Sequence, residues 1–198
     1  MSSDFFCYLG KIAGFGLAFP QETDFARQKS SARMPKHGES PSFIADSMLG
    51  RLARWLRALG FDVAYDPFAE DRALLRRARE AGRVLLTRDS RLVQVRDCPP
   101  YIFVESDRLE DQLAQVKEAA GLNFAEVCFL TRCMECNGLL SEVDKASIRC
   151  EVPPYVFSTQ TDFRRCPRCR RVYWGGTHVP RLQERLRRLA GLAGSATP

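Results

Sequence analysis

Short apolar runs alternate with amphipathic stretches across residues 42–127 of the chain. The apolar runs are rich in aliphatic, β-branched and aromatic residues, a composition typical of β-strands. They are Phe43–Ala45, Phe61–Tyr65, Val84–Thr87 and Tyr101–Val104. Because these runs are mostly continuous, we expect strands that are covered on both faces, as in a parallel sheet.

The stretches between these runs have helical periodicity. Over Ser47–Gly60, apolar residues recur at helical spacing and the arginines lie off that stripe, so a helix is predicted that ends at the glycine. Two more helices are predicted over Asp71–Ala81 and Asp107–Ala120. Strands that alternate with helices predict an α/β fold of three layers, with a parallel sheet of about four strands between the helices.

The flanks of this α/β region, residues 42–127, differ from it in composition. Residues 1–41 are rich in Ser, Gly, Gln and Pro without a clear period, so we expect a disordered tail there, with Met34 as an alternative start of the chain. Cysteines, prolines and short β-prone runs fill residues 128–180, which indicates a second, smaller module. Residues 181–198 are predicted to form a C-terminal basic helix and a loose tail.

The chain is basic, with a formal net charge of +6 and with arginine as 25 of its 30 basic residues. Guanidinium groups match the oxygens of phosphates, so this bias favours a polyanionic partner such as RNA. A base-composition bias of the genome would give the same preference for arginine. No apolar run has the length of a membrane span and no secretory signal is evident, so we expect a cytoplasmic protein without a membrane partner.

Four of the eight cysteines form two Cys-x-x-Cys motifs, in which Cys133 precedes Cys136 and Cys166 precedes Cys169. Each motif places two thiolates on one side of a tight turn, and two such turns complete a tetrahedral all-sulfur site suited to Zn²⁺. Because four protein ligands leave no open position, this zinc is predicted to be structural and part of a zinc ribbon. A redox Cys-x-x-Cys and coincidence are the alternatives.

Two further residues of this module, Cys150 and His178, are spare candidates for metal ligands. We interpret Cys150 as a small buried residue and His178 as a surface or turn residue. The remaining cysteines show no pattern of partners; they are Cys7, Cys98 and Cys128.

Aspartates follow the predicted strands at the end where a parallel sheet binds its ligands. Asp46 ends the first strand and Asp89 lies just beyond the third, while Asp71 and Asp107 follow the second and fourth. Crowded carboxylates persist most readily when divalent cations compensate their charge. We therefore expect Asp46 and Asp89 to be primary ligands of Mg²⁺ or Mn²⁺, with Asp71 and Asp107 holding a second metal or orienting a water. Helix capping is an alternative role for Asp46, Asp71 and Asp107.

Arginines flank this acidic edge and could grip phosphates on either side of a scissile bond. They are Arg51, Arg54, Arg57, Arg88 and Arg91. A solvated charged face is the alternative interpretation. In the cysteine module, Tyr173 and Trp174 lie near a cluster of arginines, where they would either stack RNA bases or fill the small core.

Several runs match motifs that occur together in one known family. The first run is Phe43–Arg57 and the second is Leu85–Asp89. The zinc-ribbon motif is matched by Arg132–Asn137, Cys166–Cys169 and Val172–His178. In these runs, over about residues 43–181, the chain closely resembles the PIN-like RNase family named for the C-terminal domain of the Mut-seven exonuclease.

This resemblance implies a PIN-like fold, a zinc ribbon and a ribonuclease activity that uses acidic residues with Mg²⁺ or Mn²⁺. Asp46, Asp71 and Asp89 carry over by motif, and Asp107 carries over by its place after the fourth strand. Some relatives have a ubiquitin-like domain in front, and nothing in residues 1–41 resembles one.

Together these features predict a metal-dependent ribonuclease whose catalytic residues are Asp46, Asp71, Asp89 and Asp107. A structural zinc ribbon would aid the binding of RNA, with tRNA or the ribosome as candidate partners. One alternative is a non-catalytic RNA- or ribosome-binding protein, in which the acidic residues only cap helices. Another is a toxin-like PIN nuclease that a partner protein neutralises.

Overall fold

A four-stranded parallel sheet organises the first half of the computed structural model, which describes residues 41–124 and 129–175. Its strands are β1 (Phe43–Ala45), β2 (Val63–Tyr65), β3 (Val84–Thr87) and β4 (Tyr101–Phe103). They lie in the order β2-β1-β3-β4 and are all parallel. The predicted parallel sheet of about four strands is therefore confirmed.

Helices cover both faces of this sheet. A 3₁₀ helix precedes the first of four α-helices, and the five elements are Ser47–Leu49 (3₁₀), α1 (Gly50–Ala58), α2 (Asp71–Glu80), α3 (Ser90–Val93) and α4 (Leu109–Ala120). Helices α1 and α4 pack on one face, and α2 and α3 pack on the other. The predicted three-layer α/β architecture is confirmed.

Successive side chains of the strands divide between two apolar cores, as the pleat of a strand requires. In β1, Phe43 and Ala45 face the core beneath α1, whereas Ile44 faces the core beneath α2. Leu52 and Leu56 of α1 are fully buried against the first core. Burial of each such leucine contributes about 1.5–3 kcal/mol, which explains why the short strands are stable within the sheet.

A smaller antiparallel sheet forms the cysteine region, residues 129–175. Its strands are β5 (Ser141–Glu142), β6 (Phe163–Arg165) and β7 (Val172–Trp174), and two short helical elements lie between β5 and β6, the 3₁₀ helix Lys145–Ile148 and α5 (Pro154–Thr159). The core of this region is small, with Ile148, Val152 and Phe163 buried. A core of this size is typical of modules that a metal ion stabilises.

The observed elements differ from the predicted ones mainly at their ends. The helix expected from Ser47 is a 3₁₀ turn followed by α1, because the Asp46 side chain accepts a hydrogen bond from the Met48 N–H and tightens the first turn. The short helices α3 and α5 were not predicted, since each has less than two turns of pattern.

Some predictions lie outside the described residues. These concern the tail over 1–40, Cys128, His178 and the C-terminal basic helix. Within the described ranges, no helix is both long and apolar enough to cross a bilayer.

Candidate functional site

Asp46 is the first residue after β1, and its side chain is fixed by three donors. One carboxylate oxygen accepts from the Met48 N–H at 2.8 Å. The other accepts from the Arg88 N–H at 3.0 Å and from the Thr87 hydroxyl. Only 4% of Asp46 is exposed, so these donors replace the hydration that the carboxylate loses. The carboxylate is thereby held at the carboxyl edge of the sheet.

Thr87 links Asp46 to Asp89. The Thr87 side chain is fully buried, and its hydroxyl oxygen also accepts from the Asp89 N–H at 3.0 Å. Asp89 caps α3 by accepting from the Arg91 N–H at 2.8 Å. Both aspartates thus lie where β1 and β3 are neighbours. The strand order reverses at this point, and an open α/β sheet binds ligands in the crevice there.

Two arginines lie beside this pair. The Arg88 guanidinium forms an ion pair with Asp107, whose side chain is 85% exposed. The Arg91 guanidinium lies 2.9 Å from an Asp89 oxygen, and this hydrogen bond holds the pKa of Asp89 below its usual value. The pKa of Arg91 is raised chiefly by the same bond and also by the charge of Asp71, the exposed first residue of α2.

We call these four residues, Asp46, Asp71, Asp89 and Asp107, the acidic rim. Among the described residues, no three carboxylates bring their ligand atoms within 4.8 Å of one another. Thr87 and Arg88 instead link Asp46 to Asp89 and Asp107, and Arg91 pairs with Asp89.

Arg57, which the sequence suggested as a phosphate ligand, is buried, and that expectation is wrong. Only 2% of its surface is exposed. Its Nε donates to the Val63 carbonyl at 2.8 Å, and its Nη1 donates to the carbonyls of Met134 and Glu135 at 3.0 and 2.9 Å. Burial lowers the pKa of this guanidinium. Arg57 thus joins α1 to the first cysteine motif.

The other two arginines of α1 remain at the surface. Arg51 is exposed. Arg54 forms an ion pair with Glu135 at 3.0 Å, so its charge is partly compensated by the cysteine region.

The four cysteines of the two motifs converge on one point, with all their sulfur atoms within 4.8 Å of one another. Cys133 and Cys166 are buried. In each motif the N–H of the second cysteine points to the sulfur of the first at 3.5 Å. These cysteines can therefore hold a metal ion such as Zn²⁺.

The two motifs fold into the same turn. Cys133 donates its N–H to the Gly138 carbonyl at 2.8 Å, and Cys166 donates to the Arg171 carbonyl at 2.9 Å. Each turn needs one residue in the left-handed region, which is Asn137 in the first (φ 65°) and Arg170 in the second (φ 64°). This repeat of the turn places two pairs of sulfurs face to face.

Donors around Cys133 favour its thiolate, whereas burial raises the pKa of Cys136 and of Cys169. Burial alone would raise the pKa of Cys133, but hydrogen bonds from the Tyr173 hydroxyl, at 3.0 Å, and from backbone N–H groups lower it to about 6. Thiolates are the form that binds metal, so the chemistry of this donor set fits Zn²⁺.

A family model described as the Mut7-C RNAse domain matches residues 41–186, most of the chain. The chain belongs to the Mut7-C RNAse domain family. No curated protein and no solved structure matches the chain significantly. The family match confirms the resemblance that the motifs indicated, and it implies an RNase-type function with RNA as substrate.

Two residues that position the site of this Mut7-C RNAse domain were not predicted from the sequence. Thr87 was assigned only to a strand, although its place two residues before Asp89 could have suggested a contact with the rim. Gly50 begins α1 beside Tyr65, where an added Cβ would lie 2.4 Å from the tyrosine hydroxyl oxygen. That hydroxyl donates to the Ser47 carbonyl at 3.1 Å, so the glycine allows β2 to be fastened to the turn after Asp46.

Other expectations about this Mut7-C RNAse domain are settled in its cysteine region. Cys150 is exposed, so its interpretation as a buried residue is wrong. Trp174 packs against Phe163 with ring centroids 6.5 Å apart, which favours the core role over base stacking. Tyr173 uses its hydroxyl on Cys133.

Proposed function

We propose that this protein is a metal-dependent ribonuclease that hydrolyses RNA phosphodiester bonds at the acidic rim. The observation that carries the proposal is the link from Asp46 through Thr87 to Asp89, at the point where the strand order reverses. Two acidic residues that are far apart in sequence are joined there by the Thr87 hydroxyl, which donates to the Asp46 carboxylate and accepts from the Asp89 N–H. They lie at the point of an α/β sheet where ligands commonly bind.

The rim suits Mg²⁺ or Mn²⁺, because these ions are commonly held by one or two carboxylates while waters and phosphate oxygens complete the shell. Asp46 and Asp89 would be the ligands, and Asp71 and Asp107 would orient the attacking water. When bound, the ion supplies an activated water and stabilises the leaving oxygen. Zn²⁺ at the four cysteines would be structural.

Arginines of the rim would bind the phosphates of the substrate. Arg91 has a side chain that is 87% exposed, so it can turn from Asp89 to a phosphate when a cation takes over the carboxylate. Arg88 reaches Asp107 from the same side, and Arg51 and Arg54 would extend the contact along α1. The cysteine region would enlarge this RNA-binding surface.

The sharpest test of the proposal is Asp89→Asn. Asparagine caps a helix as well as aspartate does, so α3 and the fold should persist while the charge is lost. We expect Mn²⁺-dependent cleavage of single-stranded RNA, tRNA or ribosomal RNA to fall by more than about 100-fold, since even outer-shell changes cost 10- to 100-fold.

A matched control is Asp144→Asn. Asp144 caps the 3₁₀ helix of the cysteine region by accepting from the Ser147 N–H, so it is the same kind of cap outside the rim. Cleavage should be unchanged in this variant. Equal cleavage by wild type and by Asp89→Asn would refute the proposed site.

One observation favours a second candidate function, which is RNA binding without cleavage. The carboxylates of Asp89 and Asp107 pair with arginines. In that case Mn²⁺ should leave the melting temperature unchanged, because no cation binds the folded state. A Mn²⁺-dependent rise that Asp89→Asn removes would favour the nuclease.

A further inference from the structure

An aromatic side chain stands free in the loop between β2 and α2. Phe68 is 91% exposed, more than any other large apolar residue in the part of the chain that the structure describes. Burying a phenylalanine typically contributes about 1.5–3 kcal/mol, which this ring does not supply to the fold. Any function of the Phe68 ring must therefore follow from its position on the surface.

The loop belongs to the same edge of the sheet as the acidic rim. Strands β1 and β2 are parallel with Ala45 beside Tyr65, and Phe68 lies three residues beyond Tyr65. Met48 lies three residues beyond Ala45, is 64% exposed, and donates its N–H to Asp46. Both exposed apolar side chains thus belong to segments that leave the sheet at the edge of the acidic rim.

Interactions of Asp66 stabilise the turn that carries Phe68. One Asp66 side-chain oxygen accepts from the Phe68 N–H at 3.1 Å, and the Asp66 carbonyl accepts from the Ala69 N–H at 3.3 Å. The other Asp66 oxygen pairs with Arg77 at 3.2 Å. This pair also compensates the negative charge next to the ring, which would otherwise repel phosphates.

A cation lies at the same edge of the sheet. Arg91 lies four residues beyond the end of β3, the other neighbour of β1, and it pairs with Asp89 at 2.9 Å while its side chain stays 87% exposed. An aromatic face and an arginine on one edge are the pair of groups that binds single-stranded nucleic acid, because the ring stacks a base while the guanidinium binds the phosphate.

We propose that Phe68 is a stacking platform for an unpaired RNA base next to the acidic rim, so that the enzyme prefers single-stranded substrate. This proposal rests on the proposed function and adds its substrate class. Duplex RNA keeps its bases stacked on one another, so it cannot use the ring.

The test compares Phe68→Ala with wild type for binding of a fluorescent single-stranded oligonucleotide and of a hairpin duplex, without added divalent cation. Stacking on an aromatic ring supplies about a 5- to 150-fold gain in affinity per base, so Phe68→Ala should bind the single strand that much more weakly. Duplex binding should not change. Thermal melting should also be unchanged, because the ring is exposed.

Two further variants make the result specific. Phe68→Trp should restore binding, and its added fluorescence should be quenched by the single strand but not by the duplex. Tyr155→Ala removes an aromatic residue that is 74% exposed in α5 of the cysteine region, and it should leave the ratio of single-strand to duplex affinity as in wild type.

Unchanged single-strand binding by Phe68→Ala, with cleavage still lost in Asp89→Asn, would overturn the platform and leave the nuclease intact. An equal loss of single-strand and duplex binding would also overturn it, since the ring would then not distinguish unpaired bases. A folded wild type that neither binds nor cleaves RNA would overturn both.

Discussion

The cysteine cluster and the acidic rim are both sets of side chains suited to metal ions, but they are assembled in different ways. The four sulfurs already lie within 4.8 Å of one another. No three carboxylates of the acidic rim come within that distance, and Arg88 pairs with Asp107 and Arg91 with Asp89. The cysteine sulfurs are thus already spaced as the ligands of one metal ion. In the acidic rim, arginines compensate the charge of the carboxylates.

The difference follows from how each set is built. Each Cys-x-x-Cys turn is encoded by adjacent residues, and its own N–H groups point to its sulfurs. The rim depends on sheet topology, which brings strand ends together but leaves side chains at the surface to adjust. A structural metal site needs the first design, and a catalytic site that exchanges substrate and water is better served by the second.

The largest effect should come from removing the cysteine ligands. In Cys133→Ser combined with Cys166→Ser, each turn loses one thiolate, and we expect about one zinc per chain in wild type to fall to none. Binding of a structural zinc is worth roughly 10–16 kcal/mol, comparable to the whole stability of a domain, so residues 129–175 should lose their fold. Elemental analysis and limited proteolysis measure both consequences.

Cys150→Ser is the control for this experiment, because Cys150 is exposed and lies outside the cluster. It should keep the zinc and the protease resistance of wild type. A metal-free double variant with a folded cysteine region would show that folding does not require the metal, and a wild type without zinc would show that the cluster is not a metal site.

A smaller effect should come from Arg57, which attaches the first cysteine turn to α1. Arg57→Ala leaves three carbonyls without their donor, so we expect a loss of about 3 kcal/mol in the free energy of unfolding. Arg54→Ala removes an ion pair from a side chain that is 57% exposed and should cost below about 1 kcal/mol. Denaturant titration compares the two variants, and equal losses would contradict the structural role of Arg57.

The sequence was sufficient to predict the sheet, the three layers and the cysteine cluster. Periodicity and short motifs carry this information, because strands such as Val84–Thr87 are continuous apolar runs and each cysteine turn is encoded by adjacent residues. Local patterns were less informative about where helices begin: α4 starts at Leu109, two residues after the predicted Asp107.

The contacts of individual polar side chains could not be predicted in the same way. Arg57 lies off the apolar stripe of α1 and was expected to face solvent, but the cysteine region covers it through Met134 and Glu135. Thr87 likewise acquires its role only when β1 is placed beside β3. Such contacts depend on which elements become neighbours, and one sequence does not specify this locally.

The smallest effect should be a pH dependence at Asp62, which also joins the two regions. Its carboxylate accepts from Arg83 at 2.6 Å and from Asn137 of the first cysteine turn at 2.8 Å. Burial would raise the pKa of Asp62, but these bonds and the charge of Arg132 hold it below its usual value. The ionised form therefore adds stability above about pH 4, the unfolded value, and this contribution is lost as the pH falls through the folded pKa.

We expect Asp62→Asn to melt at a lower temperature than wild type at about pH 7, with a gap that narrows below about pH 4. The gap should be modest, because the Asp62 side chain is 29% exposed. Asp162→Asn, an exposed position of the cysteine region, should show no such change of gap with pH. The difference in melting temperature between wild type and Asp62→Asn could instead be the same at both pH values. The link between the α/β region and the first cysteine turn would then depend on the shape of the Asp62 side chain and not on its charge.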